Sequence, residues 1–374
     1  MSAHLKRAEN CIKDETEAAK ALAAELKLTS MAGVIFFCSA EYNRDRLAAA
    51  LQTYFQCPII GCTTAGEIAS TYQNGGIVAV SFSSSVFALH QLPIRSLDHF
   101  DLLDIRKNVA DIGRKLKIAD RFDPTKMLAF LLIDGLSMKE EYITASLHNV
   151  LGGIQLIGGS AGDNLTFTST EVYFNGSFHR NAAILLLIET SLPFQVFKLQ
   201  HITPTDTDLI ITEADPERRI VQEINGNPAA LEYANLIGVP PGQLNATDYS
   251  RNPVMLQIGG EWYIRSIQRY NDDNSLTFYC AIDTGLHLTI GRISDFRENL
   301  RSEVDKLICK MPNILLTLGC DCILRRLQIL ETDIKSDVES ILKPLNFIGF
   351  STYGEQFNSI HVNQTLTGIA FGDR

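Results

Sequence analysis

The sequence predicts an α/β (mixed α+β) protein of two domains, in which repeated strand–helix–strand–turn–strand units form layered mixed sheets. Three observations lead there. A glycine-rich element, h-h-G-x-[ST]-x-(x)-G-[DE], occurs three times, at Gly61–Glu67, Gly158–Asp163 and Gly349–Glu355. Each occurrence follows a short apolar run and a stretch of helical periodicity, and precedes another apolar run. The chain is 374 residues long, enough for two domains of ~100–200 residues each.

The elements follow in order. Residues 1–30 lack a signal-peptide pattern, since Asp14, Glu15 and Glu17 follow the first basic residues. They read as an N-terminal helical segment. In the first copy Val34–Cys38 is a β-type run. Leu47, Leu51 and Phe55 recur every fourth residue, which predicts a helix over Asn43–Phe55. Pro58–Glu67 is strand and turn, and Gly76–Phe82 closes the unit. In the second copy Met127–Ile133 is the strand. Ser137 and Glu140 have the spacing of a capping box and open a helix that runs to Leu151. Ile154–Asp163 repeats the turn with one residue fewer, and Ala182–Ile188 closes. The third copy runs through Ile314–Leu318, helices around Ile323–Leu330 and Ile334–Leu342, the turn Asn346–Glu355, and Thr365–Phe371.

Glycine at two fixed points permits positive φ and close backbone approach. Ser or Thr between them can bond the turn backbone. The turns lack the lysine of a phosphate-binding loop, and no clear helix follows them, so strand–turn architecture is the expected role.

Residues 201–292 differ in texture. Leu209–Thr212 and Arg219–Ile224 alternate as strands do, Asn225-Gly226 signals a turn, and Ala229–Leu236 reads as a helix. Trp262–Ile267 and Leu276–Cys280 flank Asn271–Asn274 as a hairpin. A helix from Asp295 to Ile308 follows.

Composition narrows the function classes. The net charge of −10 argues against a broad nucleic-acid surface. Apolar runs such as Met127–Ile133 are far shorter than the ~20 residues of a spanning helix, so membrane insertion is not expected. Eight cysteines without a C-x-x-C pair suit a reducing cytoplasm. Cys320 and Cys322 form a C-x-C pair, read as small buried thiols rather than metal ligands.

Several motifs together resemble the FIST family of bacterial sensory proteins across nearly the whole chain. Gly61-Cys-Thr-Thr-Ala-Gly66-Glu67 and Gly158-Gly-Ser-Ala-Gly162-Asp163 resemble the paired turns of a FIST N-terminal domain. Arg219–Tyr233 resembles the start of the FIST C-terminal domain. Gly349–Glu355 with His361–Thr365 resembles its end. The resemblance divides the chain into residues 31–200 and 201–374, the latter comprising the alternating module 201–292 and the third repeat 293–374. His201–Asp206, Thr212–Pro216, Tyr263–Ile267, Ala281–Gly285 and Asp321–Arg325 resemble the nitric-oxide-sensing type, called NosP. That resemblance implies haem b as cofactor and nitric oxide as ligand. It also implies a partner in trans, either a histidine kinase or a diguanylate cyclase/phosphodiesterase pathway protein. Other members of the family are taken to bind small molecules such as amino acids, without haem. Oligomer formation is compatible with both.

Four residues stand out as cofactor-binding candidates. Haem needs an axial ligand, commonly His, in an apolar pocket. His201 is the first choice among eight histidines, because it follows the strand-like run Gln195–Leu199 at the junction of the two halves. A backbone-bonded structural histidine is the plain alternative. His287 is the second, although alternation in Gly285–Ile290 points it away from Leu286 and Leu288. Arg265 lies in an otherwise apolar strand and needs a carboxylate from the protein or from a ligand. Tyr353, with Trp262, can wall a pocket or fill the core.

Catalysis is not expected. Cys62 follows Gly61 in a tight turn, like a nucleophile on an elbow, but no base accompanies it and no hydrolase motif occurs. A Cys-dependent hydrolase or transferase is the alternative from another function class. With the length consumed by the two halves, the expected output is delivered in trans.

Overall fold

The computed structural model describes residues 4–116, 122–240 and 242–373. In the first copy β1 (Leu5–Asn10), α1 (Glu15–Leu26), β2 (Met31–Ser39), α2 (Arg44–Tyr54) and β3 (Ile59–Thr64) are followed by a short hairpin, β4 (Glu67–Ile68) and β5 (Tyr72–Gln73), and then β6 (Ile77–Ser83). The second copy holds β7 (Phe87–Ile94), α3 (Leu102–Lys115), β8 (Met127–Ile133), α4 (Glu140–Val150), β9 (Leu156–Ser160), the hairpin β10 (Val172–Phe174) and β11 (Ser177–His179), and β12 (Ala183–Thr190). After β13 (Phe194–Leu199) comes the alternating module: β14 (Ile202–Asp215), β15 (Ile220–Ile224), β16 (Asn227–Pro228), α5 (Ala229–Ile237), α6 (Ala246–Arg251), β17 (Val254–Ile258), β18 (Glu261–Arg265), β19 (Ile267–Tyr270), β20 (Leu276–Phe278) and β21 (His287–Ile293). The third copy comprises α7 (Phe296–Lys310), β22 (Ile314–Cys322), α8 (Ile323–Glu331), α9 (Lys335–Leu342), β23 (Phe347–Thr352), the hairpin β24 (Glu355–Phe357) and β25 (Ile360–Val362), and β26 (Leu366–Gly372).

Two compact units result. The larger spans residues 1–199, 301–361 and 366–374; the smaller spans 200–300 and 362–365. Apart from residues 296–300 of α7 and 362–365, all three copies of the repeat therefore belong to the larger unit.

The larger unit has pseudo-threefold construction. Its sheets run β1-β6-β2-β3-β10-β11, β7-β12-β8-β9-β24-β25 and β13-β26-β22-β23-β4-β5. Each sheet holds an edge strand, a closing strand, a central parallel pair, and a hairpin donated by another copy. The first copy's hairpin joins the third sheet through β4–β23. The second copy's joins the first through β10–β3, and the third copy's joins the second through β24–β9. A copy alone would leave a parallel-sheet edge open, so the cyclic exchange supplies the missing strand pairing.

The motif glycines explain the central pairs. Gly61, Gly158 and Gly349 occupy the same register opposite Phe36, Leu131 and Gly319. A Cβ at these positions would lie 2.4, 2.1 and 1.9 Å from the facing carbonyl oxygens, so only glycine fits. The second glycine, at Gly66 and Gly354, carries φ of +133° and +154°. The hydroxyl that organises the turn is one residue later than the motif suggests. Thr64 Oγ1 donates to Glu67 at 2.6 Å and accepts the Gly66 amide at 3.1 Å. Thr352 does the same for Glu355 and Gly354.

The inner faces of the three sheets share one apolar core, where Phe37 stacks on Phe350 with centroids 4.4 Å apart. Helices α1 and α2 cover the outer face of the first sheet, and α3 and α4 that of the second. The smaller unit is a mixed-length antiparallel sheet, β18-β17-β21-β14-β15-β20-β19, with α5 and α6 packed on its apolar face.

Some expectations change. Residues 1–3 lie outside the described residues, and the rest of the expected helical segment opens with strand β1, which pairs with β6. Ser137 does not cap α4: its hydroxyl accepts the Lys139 amide, because Met138 takes φ +56° and the helix starts at Glu140. Trp262–Arg265 pairs with β17, and the hairpin partner of β20 is β19.

Candidate functional site

A cavity of about 380 Å³ opens where the donated hairpin β4–β5 meets the start of β23, the edge strand β1 and helix α9. Its apolar lining is Ile68, Leu342 and Phe347; its charged lining is Arg7, Glu339 and Lys343. The Arg7 guanidinium donates one bond, to the Phe347 carbonyl at 2.9 Å, from a fork with five N–H groups. Glu339 accepts the Tyr72 amide at 2.8 Å and stands 3.6 Å from Lys335. Two cations and one carboxylate around an apolar floor complement a small zwitterion.

The hairpin that forms this wall is tied to a buried charge network. The Tyr72 hydroxyl donates to Asp321 at 2.6 Å, and Arg325 Nε donates to the other Asp321 oxygen at 2.6 Å. Arg326 lies over the Tyr72 ring at 5.6 Å and donates to Ser351, the Gln73 carbonyl and Asn74 at 3.2, 2.9 and 2.7 Å. Glu67, fully buried, accepts Thr64 and the Gly76 amide. Burial drives its carboxyl from 4.5 up to about 7, and the Thr64 hydroxyl, the Gly76 amide and the Arg326 charge offset only part of that rise. Burial, and next the Asp321 charge, lift the Tyr72 hydroxyl well above its ordinary range. A ligand touching Tyr72 or Glu339 therefore acts on a hairpin whose other side is fixed by ions in α8 and β22.

The motif acid of the second copy behaves differently. Position 161 is alanine, so no threonine is available to Asp163. Its carboxylate instead accepts the Tyr353 hydroxyl, the Thr166 hydroxyl and the amides of Phe167, Thr168 and Ser169. Burial alone would raise this carboxyl; the Tyr353 hydroxyl, the Ser169 amide and their neighbours hold it at about 2. Tyr353 also stacks on Phe167 at 4.7 Å and accepts the Leu165 amide. Tyr353 is thus a clamp on the 163–169 loop.

The other candidates lie in the smaller unit. His201 is 1 % exposed, with its ring 4.5 Å from that of Phe296 and its carbonyl bonded to Ser294. Arg265, 7 % exposed, pairs with Val254. Ile202 and Ile264, their sequence neighbours, meet Met255 in one apolar cluster against which Trp262 packs. In a strand successive side chains alternate faces, so membership of Ile202 and Ile264 in this cluster does not bring His201 and Arg265 to it. His287 is exposed and 3.6 Å from Asp208 on the surface, away from that cluster, as alternation with buried Leu288 predicts. Cys62, Cys320 and Cys322 are buried thiols outside any disulfide. Burial, with Cys38 and Cys320 nearby, pushes the Cys62 thiol well up, away from the thiolate form that a nucleophile needs. Among the described residues no group of three His, Cys, Asp or Glu side chains is set to hold a metal, and no helix is long and apolar enough to cross a membrane.

Arg7, Glu339 and Lys343 escaped sequence reasoning, since the groove joins segments from opposite ends of the chain. Glu67 was visible as the motif acid, but nothing local marked the nearby charge of Arg326.

Comparison with known families matches residues 32–227 to the FIST N domain and residues 229–358 to the FIST C domain. No curated protein gives a significant match.

Proposed function

Since the chain belongs to the FIST family, whose domains are associated with sensing small ligands in signalling, we propose that it senses a small zwitterion of amino-acid type in the groove beside Arg7. The observation that carries this reading is the charge arrangement: Arg7 and Lys343 for a carboxylate, Glu339 for an ammonium, around about 380 Å³ with an apolar floor. An ammonium on Glu339 competes with the Tyr72 amide. The hairpin and its ionic anchors would then shift, altering affinity for a separate signalling partner. A histidine kinase or a cyclic-di-GMP enzyme is the partner class this reading takes. Ligand and partner affinities must then be coupled reciprocally. The eight cysteines, none in a disulfide, suit a reducing, cytoplasmic setting.

Calorimetric titration with the common amino acids tests the reading. The bound amino acid should lose about tenfold to a hundredfold in affinity on Arg7→Gln, the worth of a charge-assisted hydrogen bond. Binding unaffected by both Arg7→Gln and Glu339→Gln, or no amino acid binding at all, overturns it.

A second reading rests on the burial of His201 and Arg265 in the smaller unit: haem b held by His201, with a propionate on Arg265 and nitric oxide as the sensed ligand. Phe296 covers the His201 ring, so this reading requires Phe296 to turn away. A Soret band on haem addition that shifts with nitric oxide and disappears in His201→Ala supports it; no band, or a band indifferent to that substitution, removes it.

A further inference from the structure

The pseudo-threefold register identifies the counterparts of the Arg7 groove. From Gly61 the chain of paired residues runs to Phe36, Ala79 and Ala8; from Gly158 to Leu131, Leu185 and Leu92; from Gly349 to Gly319, Gly368 and Phe197. The residue next along each edge strand, in the same direction, is Arg7, Gln91 or Val196. The same operation relates Phe347, Ile59 and Leu156 at the strand starts, and Ile68, Tyr173 and Gln356 on the donated hairpins. The Val196 position is closed, with Val196 in the central core. The Gln91 position opens into a cavity of about 570 Å³.

This second groove repeats the backbone of the first with different chemistry. It is lined by no charged side chain: Gln52, Gln91 and Asn175 supply amides, while Phe55, Tyr173 and Leu89 supply apolar wall. Gln52 is already committed, donating to the Gly176 carbonyl at 2.5 Å and bonding the Tyr173 hydroxyl. Gln91 and Asn175 add the remaining amides. An ion entering here would lose hydration with no countercharge. A planar, uncharged ring with carbonyl and N–H groups on its edge fits instead, since an amide pairs with such an edge through two bonds and an aromatic wall holds its face.

We propose that the Gln91 groove is a second small-molecule site, selective for a neutral nucleobase-like ring. It stands independently of the zwitterion reading. Equilibrium dialysis of the full chain against adenine and against uracil tests it. Saturable binding of at least one base is expected, weakened about tenfold by Gln91→Leu through loss of the amide bonds, and unchanged by Arg7→Gln. The half-buried Cys57 lines the groove, so the bound base should slow its alkylation by N-ethylmaleimide but not that of exposed Cys11. Absence of saturable binding for both bases, binding indifferent to Gln91→Leu, or binding lost with Arg7→Gln overturns the assignment. Failure of amino-acid titrations leaves each of these outcomes unaltered.

Discussion

Glu67→Gln isolates one buried carboxyl in the network behind the Arg7 groove. The folded protein keeps the Glu67 proton up to about pH 7, whereas an exposed glutamate releases it near 4.5. Between those values the folded state holds a proton that the unfolded chain has lost. Stability therefore falls as pH rises through this window, and the loss is complete above the folded value. The gap from 4.5 to about 7, at about 1.4 kcal/mol per pH unit, amounts to roughly 3 kcal/mol. Glutamine preserves the local bonds. Its carbonyl can accept the Gly76 amide, and its amide can donate to Thr64 Oγ1, which still accepts from Gly66. The variant should match wild type near pH 4 and exceed it by roughly 3 kcal/mol near pH 8. Urea unfolding at a series of pH values measures this, with circular dichroism as the probe, because the one tryptophan, Trp262, lies in the smaller unit. All other titrating groups are common to both proteins and cancel in the difference. A difference that stays flat across the window, or grows with the opposite sign, refutes the reasoning.

Three further outcomes follow from the larger unit. Gly349→Ala sets a Cβ 1.9 Å from the Gly319 carbonyl oxygen in a paired strand, and should cost about 3 kcal/mol or more in urea unfolding. Tyr353→Phe removes a donor from Asp163, whose carboxyl at about 2 stabilises the fold above 3.8 and loses that effect as pH falls towards 2. The variant should lose about 1–2 kcal/mol at neutral pH, and its acid unfolding, followed by circular dichroism, should begin at a higher pH than in wild type. Iodoacetamide should label exposed Cys11 and Cys309 in the native protein, while Cys38, Cys62, Cys280, Cys320 and Cys322 react only after unfolding, as peptide mass spectrometry will show.

The repeat was legible because backbone geometry leaves no alternative to glycine at positions such as Gly61, Gly158 and Gly349. The central strands and most helices of the three units were legible from periodicity, which reports the face an element buries, whereas β1 was read as part of a helical segment and β7 and α3 were not read. Periodicity does not report which strand lies alongside. The exchange of hairpins was therefore hidden, the more so because β4 and β5 are two residues each and too short to show alternation. His287 illustrates the opposite case: its exposure follows from one neighbour, Leu288, and needed no tertiary knowledge. Arg7 carried no signal of its own. With Lys6 it is one of two basic residues between apolar Leu5 and Ala8, and its meaning depends on α9, more than three hundred residues later.

The second copy shows why the three motifs cannot be equivalent in function. One residue is missing from its turn, and Ala161 stands where Thr64 and Thr352 hold their acids. Asp163 therefore lacks the internal threonine bond and draws on Tyr353 from the third copy and on the amides of residues 167–169. The compensation requires the extra residues between Asp163 and β10, and it places Asn164, Leu165 and Phe167 at positive φ. Strain at three side-chain-bearing residues persists only where the surroundings fix it, and here a single carboxylate does so through donors from residues 166–169 and from Tyr353. The same cyclic geometry that permits Tyr353 to reach Asp163 places Arg7 and Gln91 at two grooves and Val196 in the closed core. Constraint falls on the turns, where backbones touch; the edge-strand position is free of it. A charged groove and a neutral one thus arise on one backbone by changing side chains on the edge strand and on the covering helix, Arg7 with Glu339 in one and Gln91 with Gln52 in the other.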